Sequence, residues 1–397
     1  MKYIPAFLLL IIFSSPAFSQ SSNFIKGKVI NGETNAVIAN ASVFITNTSK
    51  GTVSSSTGLF ELQNVPEGTY DLVVSCIGFE TQVYTYKSSQ LPLNMLIKLA
   101  PKVEELEAVV VEPYEKDGWE KWGKFFLENF IGTSANANDC TIKNYNVLHF
   151  RNSKKKNQLT VIADEPLIIQ NRALGYNVQY QLENFTYNFK ENMLTYLGYC
   201  LFTESNKKGP KPRHLRNRDE AYNGSIQHFM FSLYNNRLAE EGFEVKRLAR
   251  TPNLEKQRVR EVYRQMARSK HMQADSSAYY ERILKQPDML ETYGSSLLTA
   301  DSLLTNNDAL TKKLSFDNYL YVVYKNEKEE PKYLQYTNEN RPTYFQRSVA
   351  FLPNGKGVFI NELGNYYMPL DFMSYGYWGW SEKIASLLPF DYEHPKK

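Results

Sequence analysis

The chain has few of the residues that most often build metal, redox or disulfide sites. It contains three cysteines and five histidines among 397 residues. An odd and small cysteine count excludes a scaffold held together mainly by disulfides, although Cys140 and Cys200 could still pair in an oxidising compartment. A formal net charge of +4 gives no basis for nucleic-acid binding. With 42% hydrophobic and 22% charged residues, the composition is that of an ordinary folded protein.

Long apolar runs are absent after the first twenty residues, so no transmembrane span is predicted there. The start of the chain combines a charge at Lys2, an apolar segment from Ile4 to Phe13 and small residues up to Ser19. That order is typical of a secretory signal peptide. The alternative is a buried N-terminal strand or helix, but a folded element does not need a charge, an apolar run and small residues in this order. Residues 1–19 therefore predict export, to the periplasm or to an outer-membrane-associated position, with signal peptide removal near Ser19.

No catalytic signature is present. The chain lacks the paired His and Glu of zinc carboxypeptidases, a complete G-x-S-x-G elbow, a C-x-x-C pair, a P-loop and a dinucleotide fingerprint. Ser225 has glycine on one side only, and His228 follows it at helical spacing. A surface hydroxyl beside a packed histidine explains this pair more simply than a catalytic dyad does. No catalytic residue, metal site or cofactor is predicted.

Residues 24–100 carry the clearest pattern in the chain. Short runs of alternating apolar residues are separated by turn-forming pairs such as Asn31-Gly32, Thr57-Gly58 and Glu67-Gly68. Seven such runs fit a small antiparallel β-sandwich of transthyretin or immunoglobulin type. An all-β sandwich is therefore expected at this end of the chain.

The turn motifs of this region fall in a recognisable order: G-K-V, A-S-V, T-G-L-F, V-P-E-G-T-Y and I-G-F-E. Together they resemble the carboxypeptidase regulatory-like domain of transthyretin type, which is found at the N-terminus of exported Bacteroidetes proteins, including TonB-dependent receptors. The resemblance implies an accessory, interaction or folding module and not a peptidase. A complete receptor is not expected, because the 284 residues after Pro113 are too few for a plug and a barrel of about 22 strands.

Residues 102–117 are predicted to be a linker, and residues 118–397 an α+β domain of unknown function. Its first element is a helix with aromatic residues at Trp119, Trp122, Phe126 and Phe130. Two more helical stretches are predicted, one from Tyr222 to Gly242 and one over residues 253–285. Alternating patterns predict strands over 142–151, 159–170, 176–189, 193–202, 319–324, 333–336, 345–352, 358–362, 366–373 and 375–380. We expect early and late strands to join one large antiparallel sheet with the helices packed across it.

Two surfaces are candidates for binding. The basic segment 207–218 is either a solvated loop or an anion site for acidic glycans, lipopolysaccharide phosphates or an acidic partner. The aromatics at 375–380 are expected to be exposed and to contact carbohydrate or peptide. The candidate binding residues are Arg216, Arg218, Tyr222, Ser225, His228, Tyr377 and Trp378.

These observations favour a non-enzymatic cell-envelope binding or scaffolding protein, with an envelope protein, peptide or glycan as partner. The alternative is a hydrolase with an unrecognised site, whose carboxylates would come from Asp164, Glu165 and Asp371. A concave pocket with convergent carboxylates or a histidine would favour the hydrolase. A flat sheet face with scattered charges would favour binding.

Overall fold

The computed structural model describes residues 23–102, 113–269, 277–367 and 369–394. The predicted signal peptide and most of the predicted linker lie outside the described residues. Within the described ranges, no helix is both long and apolar enough to cross a membrane.

The N-terminal part is a β-sandwich of two sheets, with strand orders β4-β1-β7 and β3-β2-β5-β6. Residues such as Ile25, Val43, Leu72 and Ile97 alternate inward and are completely buried between the sheets. The strands are β1 Phe24–Asn31, β2 Ser42–Ile45, β3 Gly51–Val53, β4 Leu59–Gln63, β5 Thr69–Ser75, β6 Gln82–Lys87 and β7 Leu93–Leu99.

One pairing in the sandwich differs from the prediction of antiparallel strands. β7 runs parallel to β1, with Ile25 opposite Leu93 and Asn31 opposite Leu99. The chain leaves β6 in one sheet, makes a short turn at Ser88–Gln90 and enters β7 in the other sheet. Because no hairpin links β7 to its neighbour, its direction is set by this crossover between sheets and not by a tight turn.

The first helix follows as predicted. α1 spans Gly118–Phe130, and Phe126 and Phe130 on its inner face are fully buried. Both rings lie edge-on to aromatic residues of the sheet below, Phe126 to Phe185 and Phe130 to Tyr180. The aromatic stripe of α1 is therefore core.

The sheet beneath α1 has six strands in the order β8-β11-β12-β10-β9, with β13 paired to β12. The predicted run 159–170 is two strands, because the chain turns at Asp164–Pro166 and a proline cannot donate to a strand ladder. As a result β12 pairs with β10 and β11 on one side and with β13 on the other. The strands are β8 Cys140–Ile142, β9 Leu148–Ser153, β10 Gln158–Ala163, β11 Leu167–Asn171, β12 Tyr176–Asn188 and β13 Met193–Glu204.

The middle of the chain is helical in shorter pieces than predicted. Much of the basic segment is a helix, α2 Pro212–Tyr222, and not a loop. A separate helix, α3 Ile226–Tyr234, begins after Gly224, whose φ of 75° ends the preceding helix. The predicted long helix is described as α4 Leu254–Ser269 and α5 Ser277–Leu284, and residues 270–276 lie outside the description.

The late strands do not join the first sheet, so the expectation of one large sheet is wrong. They form two further antiparallel sheets, β15-β14-β18-β19-β22 and β16-β17-β20-β21. The late strands pair with one another, β14 with β18 and β18 with β19, and among the described residues no backbone hydrogen bond joins them to a strand of the first sheet. The strands are β14 Phe243–Pro252, β15 Met289–Tyr293, β16 Leu304–Asn306, β17 Thr311–Leu314, β18 Tyr319–Lys328, β19 Phe345–Phe351, β20 Val358–Asn361, β21 Tyr366–Tyr367 and β22 Met373–Gly376.

Two predicted late strands are helical. Residues 333–336 lie in α6 Pro331–Thr337, because Pro331 at the first helical position favours a helix start. The run 375–380 is strand only up to Gly376, whose φ of 80° turns the chain into α7 Tyr377–Ser381. In both segments the residue that starts the helix, Pro331 or Gly376, has more influence on the local structure than the alternating aromatic pattern that predicted a strand.

The cysteines are free. Cys140 in β8 and Cys200 in β13 are separated by β11 and β12, so the pairing considered above does not occur. The Cys200 thiol instead donates to Oδ1 of Asn47 at 3.0 Å.

Candidate functional site

Three side chains of the basic helix α2 donate hydrogen bonds to backbone carbonyls in a turn of the first sheet. Arg213 Nη2 donates to the carbonyl of Arg172 at 2.9 Å, and Asn217 Nδ2 to that of Ala173 at 3.0 Å. Arg218 Nε donates to the carbonyl of Leu174 at 2.8 Å. This side of the helix therefore satisfies backbone carbonyls of the turn 172–174 and does not form an open anion site.

Arg218 is only 3% exposed. Its guanidinium makes a bidentate pair with Glu204, at 2.8 and 2.9 Å, and lies 3.7 Å from the ring centroid of Tyr176. Arg216 lies on the exposed side of the same helix. The two arginines therefore do not share one binding surface.

Tyr222, Ser225 and His228 are brought together, but as a helix junction. The Ser225 hydroxyl accepts a hydrogen bond from the backbone N–H of His228 at 3.0 Å and so caps α3. His228 Nδ1 accepts from the N–H of Gly224 at 3.1 Å, and its ring stacks on Tyr222 at 4.8 Å. Since the imidazole does not contact the hydroxyl, this trio has no nucleophile-activating geometry.

The charge state of His228 follows from its burial. It is 3% exposed, and Nε2 lies 3.4 Å from Glu241 Oε2. Burial lowers the pKa of His228 to about 4, against the opposing effect of the Glu241 carboxylate. The imidazole is therefore neutral at pH 7.

The expectation that Tyr377, Trp378 and Trp380 are exposed is wrong. Their exposed fractions are 5%, 2% and 2%. Trp378 Nε1 donates to the carbonyl of Gly224 at 2.7 Å, while Tyr377 and Trp380 form a small cluster with Tyr333. The turn into α7 explains the difference, because a helix directs these rings inward where a strand would have alternated them.

The carboxylates considered for a hydrolase do not converge. Asp164 contacts His149 at 2.5 Å on the surface of the first sheet, and Asp371 accepts from Asn354 at 2.8 Å in the late part of the chain. In the described ranges, no three His, Cys, Asp or Glu side chains are grouped as they would be to hold a metal ion.

A concave site is present in the described part of the chain as a cavity of about 1230 Å³. The cavity could not be predicted from the sequence, because its walls come from three distant parts of the chain. The sandwich contributes residues around Asn47 and Tyr70, the first sheet contributes 193–199 of β13, and the C-terminal segments contribute residues between Tyr366 and Leu388. Of the predicted binding residues, Ser225 and Trp378 contribute to this lining.

Among the described residues, four carboxylates line the cavity. Asp71 accepts from the Thr85 hydroxyl at 2.6 Å, and Asp308 accepts from the Thr311 hydroxyl at 2.8 Å. Glu191 is exposed in the turn between β12 and β13. Glu382 is the deep carboxylate, and it accepts from the N–H of Ile226, the first residue of α3, at 3.2 Å.

Glu382 and its neighbour Lys383 are the charged groups set deepest in the cavity wall. Burial raises the pKa of Glu382 to about 7 and lowers the pKa of Lys383 to about 8. Lys383 Nζ lies 5.9 Å from the ring centroid of Tyr196. Among the described residues no carboxylate lies within ion-pair distance of Lys383 Nζ.

Tyrosine hydroxyls add further polar groups to the cavity wall. Burial raises the pKa of Tyr196 and of Tyr366, both of which line the cavity. Both hydroxyls are therefore neutral at physiological pH and can donate a hydrogen bond. The described lining of the cavity thus combines a largely apolar, aromatic wall with hydroxyls, the four carboxylates and two lysines, Lys87 and Lys383, and such a mixture is typical of ligand-binding sites.

The sandwich closes one end of the cavity through a direct backbone junction. The N–H of Asn47 donates to the carbonyl of Cys200 at 2.7 Å, and the N–H of Phe202 donates to the carbonyl of Thr48 at 3.0 Å. Thr48 thereby forms a parallel bridge with Leu201 on the edge of β13. The loop between β2 and β3 is in effect a short added strand of the first sheet.

Comparisons with known proteins assign only the N-terminal part. No curated protein matches the chain. Three solved structures are similar in part: a type II cohesin–X-dockerin complex from Acetivibrio cellulolyticus (21% identity, 19% of this chain and 51% of that chain, TM-score 0.16), the TIE protein of Bacillus anthracis (14%, 47% and 32%, 0.17) and a protein of unknown function from Bacteroides fragilis (11%, 89% and 94%, 0.17). Such low TM-scores carry no argument about fold or function.

The family comparison agrees with the turn motifs of the sandwich. Residues 25–111 match the model of the CarboxypepD_reg-like domain. This match extends beyond β7 into the segment predicted to be a linker, and it covers a minority of the chain. The N-terminal sandwich is a carboxypeptidase regulatory-like domain, a generic immunoglobulin-like module.

Proposed function

We propose that this chain is a non-enzymatic binding protein of the cell envelope, and that it holds its ligand in the cavity between the sandwich and the C-terminal sheets. The carboxypeptidase regulatory-like sandwich then acts as an accessory module that closes one wall of the site. A regulatory-like domain is compatible with such an interaction role.

The cavity of about 1230 Å³ is the single observation that carries the proposal. Its volume exceeds the range of about 300–1,000 Å³ that is usual for small-molecule sites, which favours a large or extended ligand. Among the described residues that line it, the deep groups Glu382 and Lys383 are not accompanied by a histidine or an activated hydroxyl. Binding therefore accounts for these side chains better than nucleophilic catalysis does.

The envelope location rests on the sequence of residues 1–19. It can be tested by fusing alkaline phosphatase, which is active only after export, behind residue 25. We expect activity from this fusion and none from a fusion that lacks residues 2–19. Equal activity of the two fusions would remove the export part of the proposal.

The cavity can be tested with the fluorophore 1-anilinonaphthalene-8-sulfonate, whose aromatic rings and anionic group suit an apolar wall and Lys383. Gly379 lines the cavity, and a Cβ placed there would come no closer than 3.6 Å to another atom. Since this position accommodates a Cβ, Gly379→Leu should fill part of the cavity and weaken fluorophore binding at least fivefold.

The matched control for this test is Gly294→Leu. Gly294 lies outside the cavity lining, and a Cβ there would come no closer than 3.5 Å to another atom. We expect this variant to bind the fluorophore like the unmodified chain. Equal binding by all three proteins would show that the fluorophore does not enter the cavity and would count against the proposed site.

A hydrolase remains the second candidate, and one observation favours it. Glu382 lies in a cavity with a pKa of about 7, the range in which a carboxylate can act as a general base. A panel of chromogenic esters and glycosides would test it. Hydrolysis that disappears in Glu382→Gln but persists in Glu33→Gln, an exposed carboxylate of the sandwich, would favour the hydrolase over the binding protein.

A further inference from the structure

The edge of β13 has two very different halves. Along one side, β13 pairs with β12 from Met193 to Glu204. On its other side, the only strand-like partner in the described part of the chain is the loop at Thr48, which covers residues 200–202. Residues 193–199 carry no backbone hydrogen bond on that side to any described residue.

The loop also shows which backbone groups point outward. The carbonyl of Cys200 and the N–H of Phe202 face the sandwich loop. Neighbouring residues of a strand direct their backbone groups to opposite edges, so Leu194, Tyr196 and Gly198 present theirs on the same side as Cys200. These three residues form an unpaired continuation of an edge that already accepts an added strand.

The unpaired edge lies inside the cavity. All seven residues from Met193 to Tyr199 line it. At about 3.3 Å per residue, they run along roughly 20 Å of the cavity wall, which is the length of an extended segment and not of a compact ligand. The surrounding walls shield this edge from chance pairing with other strands, the usual hazard of a bare edge.

The groups nearby specify the side chains that a strand should carry. Lys383 lies against Tyr196 with no described carboxylate within ion-pair distance, so an acidic residue on the incoming strand would supply its partner. The aromatic wall, which includes Tyr366 and Phe372, suits apolar or aromatic residues at alternate positions.

We propose that the edge Leu194–Gly198 of β13 binds an extended polypeptide segment by strand addition, in line with Thr48 of the sandwich loop. The segment carries apolar residues at alternate positions and an acidic residue that pairs with Lys383. This inference rests on the proposed binding function and names the class of its ligand. Backbone hydrogen bonds supply the register, and the cavity wall supplies the side-chain preference.

The first test is selection from a displayed library of random dodecapeptides with the mature full chain. We expect enrichment of peptides that alternate apolar residues and contain Asp or Glu. Each amide of the best peptide is then methylated in turn. Strand addition predicts at least tenfold weaker binding at every second position and less than twofold change between them, because only alternate amides face β13.

A matched pair of variants tests the protein side. Leu194→Pro and Leu194→Ala both remove the leucine side chain, but only proline removes the outward N–H. We expect Leu194→Pro to bind the peptide at least fivefold more weakly than Leu194→Ala. Amide hydrogen exchange measures the protection of this edge in the unmodified chain, so it needs no variant. The amides of Tyr196 and Gly198 should exchange more slowly when the peptide is bound.

The outcomes separate this inference from the proposed function. Absence of any enriched peptide, or methylation losses without a two-residue period, would overturn strand addition. If the fluorophore then still binds in a manner sensitive to Gly379→Leu, the cavity function stands. If neither probe enters the cavity, both proposals fall.

Discussion

Asn365 donates a hydrogen bond from Nδ2 to the hydroxyl of Tyr70 at 3.0 Å, across 295 residues of sequence. Both side chains are buried, with exposed fractions of 1% and 2%. Burial raises the pKa of Tyr70 to about 12. This contact fixes strand β5 of the sandwich against the turn between β20 and β21, beside the cavity.

Tyr70→Phe should therefore destabilise the chain by about 1–2 kcal/mol, because it leaves the Asn365 amide without its acceptor in a buried position. The control is Tyr86→Phe in the same sandwich. The Tyr86 hydroxyl is buried and has no hydrogen-bond partner among the described residues. Its removal should be neutral or slightly stabilising. Urea unfolding of the two variants measures both values, and equal effects would contradict the role given to Asn365.

Arg218 should be worth far more to stability than Arg216, two residues away on the same helix. Arg218→Ala removes the contacts with Glu204, Tyr176 and the Leu174 carbonyl, and we expect a loss of about 2–3 kcal/mol. The half-exposed Glu204 side chain keeps this figure at the lower end of the range for buried pairs. Arg216→Ala should stay within about 0.5 kcal/mol of the unmodified chain. Similar unfolding midpoints for the two variants would contradict the structural role of Arg218 and would favour a solvated basic surface.

His228 should make the chain less stable as the pH falls. Its pKa is about 4 in the folded chain against an ordinary value of 6.5, so the unfolded chain takes up a proton first. The stabilisation is fully present above pH 6.5 and is lost as the pH falls through 4. Between pH 7 and pH 5 the loss should be on the order of 2 kcal/mol. His228→Gln should flatten this part of the stability curve. An unchanged slope in His228→Gln would refute the assignment.

Glu382 should make the chain less stable as the pH rises, which is the opposite of the effect of His228. Its pKa of about 7 lies above the ordinary value of 4.5, so the unfolded chain loses its proton first and stability falls as the pH rises from 4.5 through 7. Glu382→Gln keeps an acceptor for the Ile226 N–H and removes the charge. We expect it to stabilise the chain by about 2–3 kcal/mol at pH 8 and to change little at pH 4. Thermal unfolding at both pH values, with Glu33→Gln as control, tests this. A stabilisation that is equal at both pH values would mean that the carboxylate is not the cause.

The elements that could be predicted from the sequence are those whose signals are local. The sandwich and helix α1 have a periodic apolar pattern that agrees with their turns and caps. The hairpin turns at Asn157 and Asn192 were also predictable, since both residues adopt the positive φ that asparagine tolerates. Here sequence pattern and tertiary packing favour the same structure.

The candidate site could not be predicted in the same way. The aromatics after Gly376 alternate like a strand, yet the chain turns into a helix and buries them. The hydrogen bond from Arg218 to the carbonyl of Leu174 could not be predicted from the basic segment, because the acceptor lies 44 residues earlier in the chain. The cavity itself depends on which strand lies next to which. β13 borders it because β12 pairs with both β10 and β11 on its other side, an order that no local pattern encodes.

The junction at Thr48 also bears on how the chain can be divided. A fragment without the sandwich would expose the outer edge of β13 over its whole length, from Met193 to Glu204. Two such fragments could pair through backbone hydrogen bonds between these exposed edges. We therefore expect a truncated protein to dimerise or precipitate. In the intact chain the sandwich loop at Thr48 instead covers residues 200–202 at the end of that strand.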